Sequence, residues 1–423
     1  MVVAPLVQSG CSEHVKSSET ALHDAGSVAD HHTAAPVLLD GGVDSDPGLD
    51  EVCSAGTLSE AGAEPVQGLA SQLALGNEHS CARFEGEVWC WGNNRNGELG
   101  DGNTIARGHP VRVQQLSAVS GVYSGDGFEI CGGTRGSHTC ALLLANGNVS
   151  CWGANVEGKA SMEDAKPTLL PMLIPALSNV VQLGVGGYGS CAVLGDGTMR
   201  CWGEVLGCDN DGGVDGFLEV QGLGHATKVV VGWGFGCALL SDGGVSCWGS
   251  NFQGELGDGT KKGRPTAAPA LIPGGKAAID VTTGGAHVCA LLADLTVACW
   301  GSGMLGDGQV QVHWVPFVVP GLSGVAQVSA GGGHTCAVLG DGTLWCWGSN
   351  SSGQLGIGHD GGSRLEPVLV PGLSNVVEVA AGPFRHTCAR LADGTVWCWG
   401  LNDAGQIGDG TTVTRTLPAR VSP

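Results

Sequence analysis

The sequence predicts an all-β chain: a seven-bladed β-propeller of four-stranded antiparallel blades, each with a disulfide inside it. Three observations predict this. The tripeptide Cys-Trp-Gly starts at Cys90, Cys151, Cys201, Cys247, Cys299, Cys346 and Cys398, at intervals of 61, 50, 46, 52, 47 and 52 residues. A period near 50 is that of one propeller blade, a sheet that cannot bury both of its faces alone. Glycine accounts for 75 of 423 residues while charged residues are only 14%, a composition suited to short strands joined by tight turns. A second cysteine precedes each Cys-Trp-Gly by 9 to 11 residues.

The seventh repeat, residues 367–410, displays the unit most clearly. Strands are expected at Pro367 to Val370, Val376 to Ala381, Thr387 to Ala392 and Thr395 to Gly400, separated by Pro-Gly, Gly-Pro and Asp-Gly reversals. Alternating strand direction then puts the links at 382–386 and 401–410 on one face and the Asp-Gly hairpins on the other. The first repeat begins with a shorter strand, and the C-terminus ends in a spare one. Pro418 to Val421 is therefore expected to complete the N-terminal blade and close the ring.

The cysteine pairs are Cys81 and Cys90, Cys140 and Cys151, Cys191 and Cys201, Cys237 and Cys247, Cys289 and Cys299, Cys336 and Cys346, and Cys388 and Cys398. A three-residue hairpin loop opposes the two members at disulfide distance. No Cys-x-x-Cys occurs, which disfavours zinc, and seven disulfides imply an oxidising compartment. Cys11, Cys53, Cys131 and Cys208 remain over.

The segments HTCALLLANGNVSCWG, HTCAVLGDGTLWCWGSNSSGQLG and HTCARLADGTVWCWGLNDAGQIG resemble the regulator of chromosome condensation repeat family, in its secreted bacterial, cysteine-paired form. The resemblance spans residues 65–423 and implies the same seven-bladed propeller.

Residues 1–64 hold 11 acids against the single base Lys16 and have no strand pattern, so they are expected to be a disordered acidic tail. The opening MVVAPLVQSGC looks like the remnant of a bacterial lipoprotein signal, which makes Cys11 the expected lipidation site and a lipid anchor the only expected membrane contact. The expected location is extracellular, periplasmic or on the outer cell surface. A net charge of -21 without a basic cluster disfavours nucleic acid as a partner.

Catalysis finds no motif, and no cofactor is expected. His79, His138, His287, His334 and His386, each two residues before a cysteine, could ring a metal, but one imidazole per blade spaces them too widely; hydrogen bonds between blades account for them better. The acids Asp101, Asp258, Asp307 and Asp409 resemble fragments of a calcium loop but lack its full ligand spacing, and Asx turns explain them.

Repeated positions report the scaffold, so partner contacts are sought where equivalent positions differ. Before the third expected strand's cysteine these are Glu78, Tyr188, Trp233, Phe235, Phe384 and Arg385, residue types that anchor interfaces. Insertions at 120–136 and 204–216 lead off the same face. The expected function is an extracellular, non-catalytic scaffold for a protein partner. The alternatives are nucleotide exchange on a small GTPase, or a lectin or enzyme built on the aromatic loops.

Peptide mapping without reductant should link the seven named pairs within their own repeats. Links between repeats at those cysteines would overturn the blade alignment.

Overall fold

The computed structural model describes residues 68–125, 136–155, 158–160, 166–203 and 217–422. Cys11, Cys53, Cys131, Cys208 and the insertion at 204–216 lie outside them, as does the acidic stretch 1–64. Among the described residues twenty-seven strands form seven antiparallel meanders, and each blade is continuous in sequence. The innermost strands are Ala70–Leu75, Val119–Ser124, Val180–Val185, Ala226–Val231, Ala278–Thr283, Val325–Ala330 and Val376–Ala381. The last blade continues through His386–Leu391, Val396–Gly400 and Arg415–Arg420. Among the described residues the third blade's sheet has three strands, and the bridge between Cys201 and Leu218 lies at the outermost position.

Two expectations are corrected here. The strand at Pro367 to Val370 does not open the seventh blade; as Arg364–Leu369 it is the outer strand of the sixth, pairing Trp345 with Leu369. The C-terminal strand likewise pairs within its own blade, Trp397 with Arg420 and Cys398 with Ala419, and does not join the first. The meander breaks at the Pro-Gly turn after the outer strand, where the chain returns to the axis, because the link after Cys-Trp-Gly folds back on its own sheet.

The ring closes through side chains instead of an exchanged strand. Between the last blade and the first, the Glu378 carboxylate accepts from the Leu73 amide at 2.9 Å and the Trp91 indole donates to the Gln406 carbonyl at 2.9 Å. Leu73, Leu75 and Trp91 share one apolar cluster with Val396 and Ile407.

The tripeptide Cys-Trp-Gly is explained residue by residue. In every repeat the two cysteines are register partners and form a disulfide, with Cα atoms 4.0 to 4.1 Å apart. The tryptophan is fully buried against the preceding blade, and five of the seven donate to a carbonyl there: Trp91 to Gln406, Trp152 to Glu98, Trp202 to Lys159, Trp300 to Glu255 and Trp399 to Gln354, at 2.8 to 3.1 Å. The glycine is required by close approach. At Gly400, with φ 101°, a Cβ would fall 2.3 Å from the Arg385 carbonyl oxygen, which accepts the next amide, that of Leu401.

The histidines also join blades. His79 bonds Thr139, His138 bonds Ser190, His287 bonds Thr335, His334 bonds Thr387 and His386 bonds Ser80, at 2.8 to 3.1 Å. Nearer the axis, the third residue of the inner strand reaches the following blade. Gln72, Gln182 and Gln327 each donate to and accept from one backbone unit, those of Val122, Val229 and Val379, and Lys228 pairs with Asp280. The second blade has Gly121 at this position; the Tyr123 ring packs over it, and its hydroxyl meets the Leu183 backbone. These strands surround a central cavity of about 270 Å³.

Burial holds the histidine pKa values far below their ordinary 6.5: about 4 for His79 and His287, about 3 for His334 and His386, and well below 6.5 for His138. A depressed folded-state value means that the unfolded chain binds more protons once the pH falls below 6.5. Their contribution is therefore complete above pH 6.5 and is lost as pH descends toward 4, at up to about 1.4 kcal/mol per pH unit for each histidine. The buried acids Glu98 and Glu255, raised by desolvation, act in the opposite sense but are fewer. Denaturant midpoints should fall steeply between pH 6.5 and 4, and His334→Gln should flatten that slope; a flat profile in the parent would refute the account.

Candidate functional site: the loop face

Two kinds of connection leave the same face of the ring: the short turn from the inner to the second strand, and the longer link from the third to the outer strand. Their backbones are hydrogen-bonded, Asn93 to Glu78, Ser250 to Gly234 and Leu401 to Arg385. The Asp-Gly hairpins emerge on the opposite side, where the inner strand begins.

A buried asparagine organises each full-length link. The Asn402 amide donates to the carbonyls of Thr411 and Val413 at 3.0 Å and accepts from the Ile407 amide at 2.9 Å; Asn94, Asn251 and Asn350 repeat the pattern. The acids once compared with a calcium loop are committed elsewhere. One oxygen of Asp258 and of Asp409 caps an Asx turn, and the other meets a basic side chain six residues on, Arg264 or Arg415. Asp101 faces Arg107 and Asp307 faces His313 in the same way. Each link then docks on the next blade's outer strand: Gly259 donates to Trp314, Gly358 to Thr416 and Gly410 to Gly108. The loop face is thus braced on both flanks.

Against this frame the six expected contact residues separate. Arg385 is exposed, its guanidinium 4.8 Å from the ring centroid of the half-buried Phe384. Glu78 is half-buried and accepts from the Asn93 side chain at 2.9 Å. Trp233 is also half-buried, its ring lying over Gly285 of the next blade, where a Cβ would come within 2.7 Å of it. Tyr188 and Phe235 are corrections, because both are buried, at 8% and 0% exposure. Phe235 stands where five blades have histidine and fills the space between the fourth and fifth blades, in one apolar cluster with Trp300 and Val281. Of the insertion at 120–136, Ser120 to Ser124 belong to the second inner strand, and residues 126–135 lie outside the described part.

Sequence reasoning missed other exposed side chains of this face. Phe252 follows the link asparagine and is 75% exposed. Lys261, on the same link, holds its ammonium 4.9 Å from the Trp314 ring centroid. The signal was present in the repeat alignment: after the asparagine the blades carry Arg95, Val156, Phe252, Ser351 and Asp403. Comparing only the positions before the cysteine passed over it.

The fifth blade's link is three residues shorter than the fourth's, Trp300 to Gly308 against Trp248 to Gly259, and it lacks the asparagine. The Trp347 indole, which would donate to that link, has no partner there.

The regulator of chromosome condensation (RCC1) repeat matches this chain at residues 85–131, 242–291, 297–338, 341–389 and 393–423, and a second description of the same repeat matches 70–98, 226–255, 325–354 and 376–406. The ultraviolet-B receptor UVR8 of Arabidopsis thaliana is 30% identical over 364 residues, 82% of this chain and 80% of the receptor. The human E3 ubiquitin-protein ligase HERC2 is 28% identical over 257 residues; the match spans 56% of this chain but only 5% of that protein. Among solved structures, human WBSCR16 superposes with a TM-score of 0.69 at 20% identity, covering 80% of this chain and 94% of that one. Prp20p of Saccharomyces cerevisiae gives 0.67 at 21%, covering 84% and 87%. With its repeats matched across more than half its length and its seven-bladed ring shared with these structures, the chain belongs to the RCC1 repeat family.

Proposed function

We propose that the chain is a non-catalytic binding platform that works outside the reducing cytosol and holds a protein partner on its loop face. One observation carries this reading. The repeated side chains are consumed in joining blades, whereas the side chains that differ between blades and stand exposed, Phe252, Lys261 and Arg385, share the face of the long links. Exposed aromatic and arginine side chains on a rigid frame are typical anchors of protein interfaces.

The seven disulfides support an oxidising compartment, since such bonds persist poorly in the cytosol. Prp20p is described as binding Gsp1p and histones, a precedent for protein recognition by this fold. A cytosolic GTPase client fits poorly with the disulfides. A lectin-like aromatic platform fits poorly with the burial of Tyr188 and Phe235.

The partner is to be captured by cross-linked pull-down from the extracellular fraction, and affinities measured for variants whose melting curves match the parent. Phe252→Ala and Arg385→Ala should each weaken binding by about 1 to 4 kcal/mol. Asp341→Ala and Asp393→Ala, in the opposite hairpins, should change it little. Sensitivity confined to the hairpin variants would sink the assignment.

A further inference from the structure

Lys261 and Lys262 are the only two adjacent basic residues in a chain of net charge -21. Both are exposed, in the link that joins the third and outer strands of the fourth blade. Asn251 folds this link on itself, its amide donating to the carbonyls of Thr260 at 2.9 Å and Lys262 at 3.4 Å, so that Phe252 and the lysines belong to one closed loop. The loop is fastened to the next blade through Gly259, whose amide donates to the Trp314 carbonyl at 2.9 Å.

Charge and apolar surface coincide here. Phe252 is the most exposed large hydrophobic side chain among the described residues, and Val310 and Val312 lie open at the start of the outer strand that carries Trp314. The nearby carboxylates are already engaged: Asp258 by Arg264, Asp307 by His313, and the buried Glu255 by the Gln253 amide. Among the described residues neither lysine forms an ion pair; both are exposed, and the Lys261 ammonium lies over the Trp314 ring.

We propose that this rim between the fourth and fifth blades docks an acidic segment of the protein partner, one that carries an apolar side chain among its carboxylates. The carboxylates would meet Lys261 and Lys262, and the apolar group would cover Phe252. The net charge of -21 disfavours such a segment over the molecule as a whole, so local attraction at this pair of lysines favours this position. The inference rests on the loop-face reading and narrows it to one region and one partner chemistry.

The test uses the full chain and fluorescein-labelled peptides of repeating Asp-Glu-Leu-Asp, with Asn-Gln-Leu-Asn and Lys-Lys-Leu-Lys counterparts, read by anisotropy. The acidic peptide should bind best, and added salt should weaken it. K261E/K262E should reduce its affinity at least about tenfold, and Phe252→Ser should reduce it by about tenfold while the salt dependence persists. Equal binding of the three peptides, no binding of the acidic one, or parent-like binding by K261E/K262E would overturn the proposal. The captured partner separates the two readings: sensitivity to Arg385→Ala without sensitivity to K261E/K262E keeps the loop face and rejects this site. Sensitivity to the Asp341 and Asp393 variants alone rejects both.

Discussion

The contact between adjacent blades is the constraint on which the rest of the structure depends. A four-stranded blade has two apolar faces and no partner of its own, so its stability comes from the blades on either side. This chain makes that contact three times over at increasing radius. The glutamines and their substitutes clamp backbone units beside the central cavity, the histidines bond hydroxyls in the next second strand, and the tryptophans bury an indole under the preceding link. The disulfides add no contact between blades. Each one joins the second and third strands of a single sheet, and so makes the blade a fixed block with which the ring is built.

This division of labour explains where variation is tolerated. A clamp residue has a partner whose geometry is set by the ring, so a loss must be made good locally. Where glutamine is missing at Gly121, Tyr123 fills the place from two residues away. Where histidine is missing at Phe235, hydrophobic filling replaces a hydrogen bond and excludes water equally well. The shortened link of the fifth blade is not made good in this way, and it leaves the Trp347 indole buried without an acceptor.

The loop face owes its rigidity to the same contacts. A link of a dozen residues is ordinarily among the more mobile parts of a fold. Here an internal asparagine ties it, an aspartate joins it to the root of its own outer strand, and a glycine amide fastens it to the blade beyond. The backbone that carries the exposed side chains between these ties has little conformational freedom left to lose, which favours binding of a partner.

The sequence by itself determined the number of blades, the antiparallel meander, the seven disulfides and the blade-joining role of the histidines. These are properties of spacing and of residue type at recurring positions, and the repeats restate them from blade to blade. It could not determine where one blade ends and the next begins, since a meander reads the same from any starting strand. Only the register of Trp397 with Arg420 showed that the last strand stays in its own sheet. Nor could it tell an aromatic that fills the gap between blades from one that faces solvent. Phe235 and Phe252 are equally apolar and equally out of pattern, yet the first is fully buried between blades and the second stands 75% exposed. That depends on how two blades pack in space, which no single repeat encodes.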